Sequence, residues 1–193
     1  MSIQAKNATK AKPELAGIAL RRSIVLVGLM GAGKTTIGKR LAHALGVSFV
    51  DSDHEIVEAA GCSISDIFAI YGEEIFRDLE QRVLLRLLEA PPCVLATGGG
   101  AFVNPAIREA IKQRALSVWL KAELEVLVER VSRRDTRPLL QAGDKREILS
   151  RLMQERHPLY AEADIVIDST TGAHEAVVEQ ILTSVAQWQR DHG

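Results

Sequence analysis

The chain lacks the features that mark membrane, secreted and nucleic-acid-binding proteins. In its 193 residues, no apolar run approaches the roughly 20 residues that a membrane-spanning helix needs. Residues 1–22 carry basic side chains but no apolar segment of the kind that a secretory signal requires. The formal net charge of −1 provides no basic excess for nucleic acid. We therefore predict a cytoplasmic protein that binds neither a membrane nor nucleic acid.

Cysteine is also scarce. Cys62 and Cys93 are the only two, they lack the spacing of metal ligands, and one pair does not make a disulfide framework. We expect two free thiols in a reducing compartment. The length, with 47% hydrophobic residues, predicts one globular domain with an ordinary core. Residues 1–22 are expected to be a flexible extension, with a transit peptide as the alternative because Glu14 is their only acidic residue.

The most informative stretch is Ser23–Ala42, which predicts a strand, a glycine-rich turn and a helix. The motif G-x-x-x-x-G-K-[ST] is matched at its four fixed positions, which are Gly28, Gly33, Lys34 and Thr35. In this motif backbone N–H groups surround a phosphate, the lysine reaches the β- and γ-phosphates, and the hydroxyl binds Mg²⁺. A plain glycine turn with an exposed lysine is the alternative, and the complete match between a strand and a helix argues against it.

Two aspartates follow the next predicted strand, Ser48–Val50. Ligands of open α/β sheets bind beyond the carboxyl ends of the strands, so Asp51 and Asp53 are placed for chemistry. One carboxylate suits a metal ion and the other an acceptor hydroxyl. Alternatively, Asp53 is the N-cap of the following helix, and both interpretations can hold together.

An amphipathic helix is predicted over Glu73–Ala90. Arg77 and Glu80 are three residues apart, so they are neighbours on one face of it. They form either an ordinary surface pair or an arginine that Glu80 orients towards an anion. The core face of this helix is predicted to carry Ile75, Phe76, Leu79, Val83, Leu84, Leu87 and Leu88.

Two further segments suggest ligand contacts. Gly98–Gly100 follow the predicted strand Cys93–Ala96, and three glycines there are hard to explain by packing, since they lower stability and supply no side chain. They do allow a ligand to lie on the backbone. Four arginines within eight positions are either a solvated charge run or part of a lid that closes over a nucleotide; they are Arg130, Arg133, Arg134 and Arg137.

Predicted strands and helices alternate, which indicates an α/β fold with a parallel sheet covered on both faces. Motifs for base recognition by GTPases are absent, and the strand before Gly98 does not end in the second metal-binding aspartate of many ATPases. The short chain, with its arginine-rich loop after the fourth strand, favours an enzyme like the nucleoside monophosphate kinases that acts on a small metabolite.

Six segments together resemble the shikimate kinase family, in its order and at about its spacing. They are GLMGAGKTTIGKRLA from Gly28, DSD at Asp51–Asp53, FRDLE at Phe76–Glu80, GGG at Gly98–Gly100, TRPLL at Thr136–Leu140 and RHPLY at Arg156–Tyr160. The resemblance covers the chain from about Arg22 to its end. It implies a three-layer P-loop kinase fold with a five-stranded parallel sheet over 23–193, a substrate-binding subdomain at about 53–88 and a lid at about 130–142.

The resemblance also implies an activity. The enzyme would transfer the γ-phosphoryl group of ATP to the 3-hydroxyl of shikimate, which gives shikimate 3-phosphate and ADP on the route to chorismate and the aromatic amino acids. ATP and shikimate are then the binding partners and Mg²⁺ the cofactor, and we expect a monomer.

Roles are implied for the residues that match the family's motifs. Asp53 would bind shikimate hydroxyls and take the proton, Arg77 and Arg156 would hold the carboxylate, and the backbone of Gly99 would donate to the substrate. Asp51, through water, and Thr35 would serve the metal. The positions expected to bind nucleotide phosphates are Gly31, Ala32, Gly33, Lys34, Thr35, Thr36 and Arg137.

Lys34→Ala and Arg137→Ala are expected to be nearly inactive, because charge neutralisation dominates phosphoryl transfer. Arg133 is the residue that we expect beside the adenine. Two other functions compete. One is a kinase for another hydroxylated acid such as gluconate, and the other is a nucleotide-binding regulator without turnover, which the intact acceptor positions disfavour.

Overall fold

Five parallel strands form one sheet in the order β2-β3-β1-β4-β5. The structure is a computed structural model that describes residues 20–133, 143–169 and 172–192. The strands are β1 (Ser23–Val27), β2 (Phe49–Asp51), β3 (Val94–Ala96), β4 (Ala115–Lys121) and β5 (Ile165–Asp168). The seven helices within those residues are α1 (Lys34–Leu45), α2 (Ser52–Ala60), α3 (Ile64–Leu88), α4 (Pro105–Arg114), α5 (Leu124–Ser132), α6 (Lys145–Tyr160) and α7 (His174–Asp191).

The strand β1 lies at the centre of the sheet, and all five of its residues are buried. A parallel strand needs apolar cover on both faces, and here α1 packs with α7 while α3 packs with α4. The predicted three-layer α/β arrangement with a five-stranded parallel sheet is confirmed. None of the helices in the described part of the chain is long and apolar enough to cross a bilayer.

The register of the strands brings three loops together. Leu26 pairs with Ala96, and Ala96 pairs with Asp51, so β1, β3 and β2 end at the same edge. The N–H of Thr97 donates to the carbonyl of Leu26 at 3.2 Å, and the N–H of Gly98 donates to Ser52 Oγ at 3.2 Å. The segments that follow the three strands are thus joined directly.

The long helix α3 is broken at Gly72, whose φ of 81° and ψ of 174° are not helical. The helix predicted from Glu73 therefore begins directly after this break. Ile75 was expected on the core face and is 50% exposed, while Phe76 is buried. The buried face of this segment runs from Phe76 through Glu80 and Val83, and Ile75 lies outside it.

The helix α6 continues through His157 and Pro158. It ends at Tyr160 and contains Pro158 in its last turn. Proline removes one backbone N–H donor from a helix. The helical hydrogen bonding nevertheless continues after Pro158, because the N–H of Ala161 donates to the carbonyl of His157 at 2.9 Å. As a result, Arg156 and Tyr160 lie four residues apart on one face of a single helix.

The contact between α1 and the sheet has no room for a side chain at Gly38. A Cβ there would lie 2.5 Å from Phe49 Cε2 and 3.1 Å from Leu26 Cδ1. We expect Gly38→Ala to lower the free energy of unfolding by about 1–2 kcal/mol, because displacement of the ring outweighs the gain in helix propensity. Urea denaturation followed by circular dichroism measures the change.

Gly143→Ala is the control for this substitution. A Cβ at Gly143 would have Ile148 Cδ1 as its nearest neighbour, at 3.9 Å. Its free energy of unfolding should change by less than about 0.5 kcal/mol. Equal losses in the two variants would show that tight packing at Gly38 is not the cause.

Candidate active site

The loop between β1 and α1 depends on glycine. Gly28 has a φ of 136°, and a Cβ there would lie 2.7 Å from the carbonyl oxygen of Leu120. Gly33, directly before α1, has a φ of 96°. Side chains are disfavoured at these positive angles, so the loop can turn sharply and direct its N–H groups inward.

Lys34 is buried rather than exposed. Only 8% of its surface is accessible, and its Nζ donates to the carbonyls of Gly28 at 2.7 Å and Leu29 at 2.9 Å. A plain turn with a solvent-exposed lysine is therefore excluded. Lys34 also lines a cavity of about 470 Å³. We call this the loop cavity, and it is lined by Gly31, Gly33, Lys34, Thr35, Thr36, Asp51, Asp53, Thr97, Gly98, Gly99, Arg130, Val131, Arg133 and His174.

Asp51, and not Asp53, caps α2. Its Oδ1 accepts from the N–H of Asp53 at 3.1 Å, and its Oδ2 accepts from Thr35 Oγ1 at 2.9 Å. The alternative that Asp53 is the N-cap is wrong, because the helix already starts at Ser52. Asp51 therefore combines the cap with the Thr35 contact, and both aspartates line the loop cavity.

A second cavity of about 350 Å³ adjoins the first. We call it the acceptor cavity, and it is lined by Met30, Asp53, Val57, Ser63, Ile64, Ser65, Phe68, Phe76, Arg77, Glu80, Gly98, Gly99, Gly100 and Arg156. Asp53, Gly98 and Gly99 line both cavities. A molecule in one cavity can therefore meet a molecule in the other at these three residues.

Arg77 and Glu80 are not a surface pair, because Glu80 is only 1% exposed. Arg77 Nη1 donates to Glu80 Oε2 at 2.8 Å, and Arg77 Nη2 donates to Glu73 Oε1 at 3.1 Å. Burial raises the pKa of Glu80, against the opposing hydrogen bond and charge of Arg77, and the charge of Asp53 raises it further. For Arg77, burial works against the charged form, but its bonds to the two glutamates outweigh burial and raise its pKa.

Neighbouring side chains pack closely against two of the glycines in the loop that follows β3. A Cβ on Gly98 would lie 2.7 Å from Asp53 Oδ1 and 3.1 Å from Glu80 Oε1. A Cβ on Gly100 would lie 2.7 Å from Arg77 Nη1. The expectation that packing hardly explains these glycines is therefore incomplete. The charged side chains of Asp53, Glu80 and Arg77 fill the space that a Cβ would need.

Gly99 connects this loop to α6. Arg156 Nη1 donates to the Gly99 carbonyl at 3.0 Å, and the hydroxyl of Tyr160 donates to the same oxygen. Tyr160 is fully buried, and burial raises its pKa to about 12 although the charge of Arg156 lowers it. The residue was quoted in the RHPLY motif but was not identified as part of the site.

The arginine cluster divides in two. Arg130 Nη1 donates to the carbonyl of Gly31 at 3.2 Å and to Ser169 Oγ at 3.2 Å, and burial lowers the pKa of Arg130. Arg133 is exposed and pairs with Glu129 at 2.6 Å, although it too lines the loop cavity. The predicted lid, 130–142, thus begins within α5, while Arg134 and Arg137 lie outside the described residues.

Sequence reasoning missed Arg130 and Ser169 as neighbours of the phosphate loop. Ser169 Oγ donates to the carbonyl of Ala32 at 2.9 Å, so the residue that follows β5 supports the loop from a distant part of the chain. Nothing in a single sequence separates Arg130 from the other arginines of its cluster. The only available signal was its position next to Val131, an apolar residue of the buried face of α5.

The comparisons with known proteins agree on one family. The family model described as shikimate kinase matches residues 30–186. The chain is 58% identical over 161 residues to the shikimate kinase of Paramagnetospirillum magneticum, with 83% of each chain covered. Shikimate kinase from Acinetobacter baumannii, solved in complex with shikimate, is 42% identical, with a TM-score of 0.83 over 86% of this chain and 93% of that one.

A more distant likeness concerns the competing function. A gluconokinase from Sinorhizobium meliloti is 18% identical, with a TM-score of 0.61 over 89% of this chain and 95% of that one. At that identity the likeness shows a common fold alone. The family match and the closer relatives decide the assignment: the chain belongs to the shikimate kinase family.

Proposed function

We propose that ATP binds in the loop cavity and shikimate in the acceptor cavity, and that the γ-phosphoryl group passes to the 3-hydroxyl at their junction. The chain is an ATP-dependent kinase that acts on shikimate in aromatic amino-acid biosynthesis, as its family membership requires. The observation that carries the proposed placement is the sharing of Asp53, Gly98 and Gly99 by two cavities with different linings.

The nucleotide side is proposed to use backbone and charge. The N–H groups of the loop that runs from Gly31 to Thr36 would surround the phosphates, and Lys34 would exchange its loop carbonyls for phosphate oxygens. Arg137 is proposed to add charge from the lid and lies outside the described residues. Its counterpart within them is Arg130, which already lies on the loop.

Mg²⁺ fits the residues beside the loop. Thr35 Oγ1 and Asp51 Oδ2 are hard oxygen donors 2.9 Å apart, and Mg²⁺ commonly takes few protein ligands together with phosphates and water. We propose that Thr35 holds the ion and that Asp51 contacts it through water. The bound ion would neutralise charge on the phosphates.

The acceptor side is proposed to recognise a carboxylate and hydroxyls. The guanidinium groups of Arg77 and Arg156 line one cavity and suit bidentate binding of a carboxylate. Glu80 fixes the direction of Arg77. Asp53 would accept hydrogen bonds from the hydroxyls, and the backbone of Gly99 would donate one.

The proposed step forms a bond between the 3-hydroxyl oxygen and the γ-phosphorus as the bond to the leaving oxygen of ADP breaks. The proton of the hydroxyl passes to Asp53. Because the transition state of such transfers is loose, alignment and charge neutralisation contribute more than the strength of the base. Lys34 would stabilise charge on the transferred and leaving oxygens.

We also propose a division of the chain. The helices α2 and α3 would form the substrate-binding subdomain at about 53–88, because Asp53, Val57, Phe68 and Arg77 on them line the acceptor cavity. Residues 1–22 would be an extension outside the kinase domain, and the enzyme would act as a monomer. Light scattering on the protein as it elutes from a size-exclusion column measures its molar mass and so tests whether it is a monomer.

The function is tested by ADP release with ATP, Mg²⁺ and one acceptor at a time. We expect release that depends on shikimate, and phosphorus-31 NMR should identify shikimate 3-phosphate. Release with gluconate alone would support the competing kinase. Binding of ATP without turnover on either acid would support the regulator.

Asp53→Asn keeps the size of the side chain and removes the proton acceptor. We expect kcat with shikimate to fall by more than tenfold, or at least about 1.4 kcal/mol in the activation barrier. Steady-state kinetics measure it. Asp78→Asn, which makes the same change at an exposed residue that pairs with Arg82 and lines neither cavity, is the control and should keep kcat within about threefold. An Asp53→Asn variant with more than a tenth of the original kcat would exclude Asp53 as the base.

The raised pKa of Glu80 predicts a dependence of stability on pH. The folded chain keeps a proton on Glu80 in a pH range where the unfolded chain, whose Glu80 has a pKa near 4.5, has lost it. This contribution to stability is present below the pKa of the unfolded chain and is lost as pH rises through the pKa of the folded chain. Relative to Glu80→Gln, the original chain should therefore gain free energy of unfolding as pH falls through this range.

Urea denaturation of both proteins at successive pH values measures the difference. Glu74→Gln, which changes an exposed carboxylate on the same helix, is the matched control. A difference between the original chain and Glu80→Gln that stays constant with pH would contradict the effect of burial on Glu80.

A further inference from the structure

The hydroxyl of Tyr160 is a buried group to which the proposed reaction assigns no task. It donates to the carbonyl of Gly99, inside the loop that both cavities share. Arg156 Nη1 donates to the same oxygen at 3.0 Å. One carbonyl with two lone pairs therefore receives two donors from α6, which lie one turn apart.

The tyrosine ring contacts aromatic side chains of two other elements. Tyr160 is fully buried, and its ring centroid lies 6.3 Å from that of Phe102 and 5.9 Å from that of Trp119. Phe102 follows the glycine loop directly, and Trp119 belongs to the central part of β4. The hydroxyl therefore reaches Gly99 from a rigid support.

The peptide group that Tyr160 holds lies between the two arginines proposed to bind the carboxylate. Arg156 contacts its carbonyl end at Gly99. At the other end, a Cβ on Gly100 would lie 2.7 Å from Arg77 Nη1, so that guanidinium packs against the backbone. Because a peptide group is planar, fixing the Gly99 carbonyl also fixes the position of Gly100 and its N–H.

Binding of a carboxylate requires donors that the loop now uses. If Arg156 turns Nη1 from Gly99 to the substrate, the carbonyl loses one of its two donors. A second donor on the same oxygen lets the arginine turn without leaving this partly buried carbonyl unpaired. The tyrosine supplies that donor, since its hydroxyl is neutral throughout the working pH range of an enzyme.

We propose that Tyr160 is a positioning residue for the acceptor: its hydroxyl holds the Gly99–Gly100 peptide and so releases Arg156 to bind the substrate carboxylate. This inference rests on the proposed function, because it needs that carboxylate in the acceptor cavity. It assigns no contact between Tyr160 and shikimate, and it concerns the acceptor side alone.

Tyr160→Phe tests the proposal, because it keeps the ring and removes the hydroxyl. We expect KM for shikimate to rise about tenfold, while kcat stays within about threefold and KM for ATP within about twofold. This pattern is expected when a substitution weakens binding of the ground state and of the transition state equally. The stabilisation of the protein by shikimate in thermal denaturation should fall in parallel, which gives a readout that does not depend on turnover.

Ser117→Ala is the matched control. Ser117 is fully buried, and its hydroxyl donates to Asp164 Oδ2 at 2.6 Å, away from both cavities. Its loss should lower the melting temperature without changing KM for shikimate. An unchanged KM for shikimate in Tyr160→Phe, or an equal rise for both substrates, would overturn the role of Tyr160 while leaving the proposed function in place. Absence of shikimate-dependent turnover in the original protein would overturn the function itself.

A second measurement remains decisive if the phenylalanine variant does not fold. The chain has two tyrosines, so labelling with 3-fluorotyrosine gives two fluorine signals, one from Tyr160 and one from Tyr71, which is 58% exposed. Shikimate should shift the Tyr160 signal, and an ATP analogue alone should not. A Tyr160 signal that saturating shikimate leaves unmoved would overturn the proposal.

Discussion

The site depends first on the register of three parallel strands. Leu26, Ala96 and Asp51 are aligned across β1, β3 and β2, so the three chain segments that follow leave the sheet at one edge. Hydrogen bonds from Thr97 to Leu26 and from Gly98 to Ser52 then fix those segments to one another. Asp53, Gly98 and Gly99, which line both cavities, lie in these segments. A shift of one residue in any strand would turn the neighbouring side chains to the other face of the sheet.

Charged groups are concentrated and buried at that junction, and their pairing is a second constraint. Lys34 and Glu80 are almost inaccessible to water, yet Lys34 is held by loop carbonyls and Glu80 by Arg77. Burial of a charge is costly unless a partner compensates it, and the removal of one partner leaves the other uncompensated. Stability and binding are therefore coupled here: a substitution at Arg77 would also disturb Glu80, and through Gly98 it would disturb Asp53.

Much of this could be predicted from the sequence, and the failures have physical causes. The alternation of strands and helices and the strand, turn and helix at Ser23–Ala42 are local patterns, so both were predicted correctly. The packing contacts of Gly98 and Gly100 were not predicted, because the side chains that fill their space come from α2 and α3, far away in the sequence. The cap at Asp51 depends on where α2 begins, and helix ends are weakly encoded. Arg130 could not be distinguished from its neighbours, because its contacts with Gly31 and Ser169 depend on the packing of α5 against the loop.

Under the proposed placement, the lining of the acceptor cavity would favour a ring acid over an open-chain polyol. Beside its charged groups the cavity has a wall of apolar side chains, namely Met30, Val57, Ile64, Phe68 and Phe76. Shikimate carries its carboxylate and three hydroxyls around a ring, which leaves carbon–hydrogen faces to pack against this wall. Gluconate carries a hydroxyl on nearly every carbon, and some of them would be buried against the wall without partners. An unpaired buried hydroxyl costs about 1–3 kcal/mol, which is five- to more than a hundredfold in affinity for each such group. These apolar side chains would therefore discriminate between the two acids, whereas the carboxylate contacts that both acids can make would not.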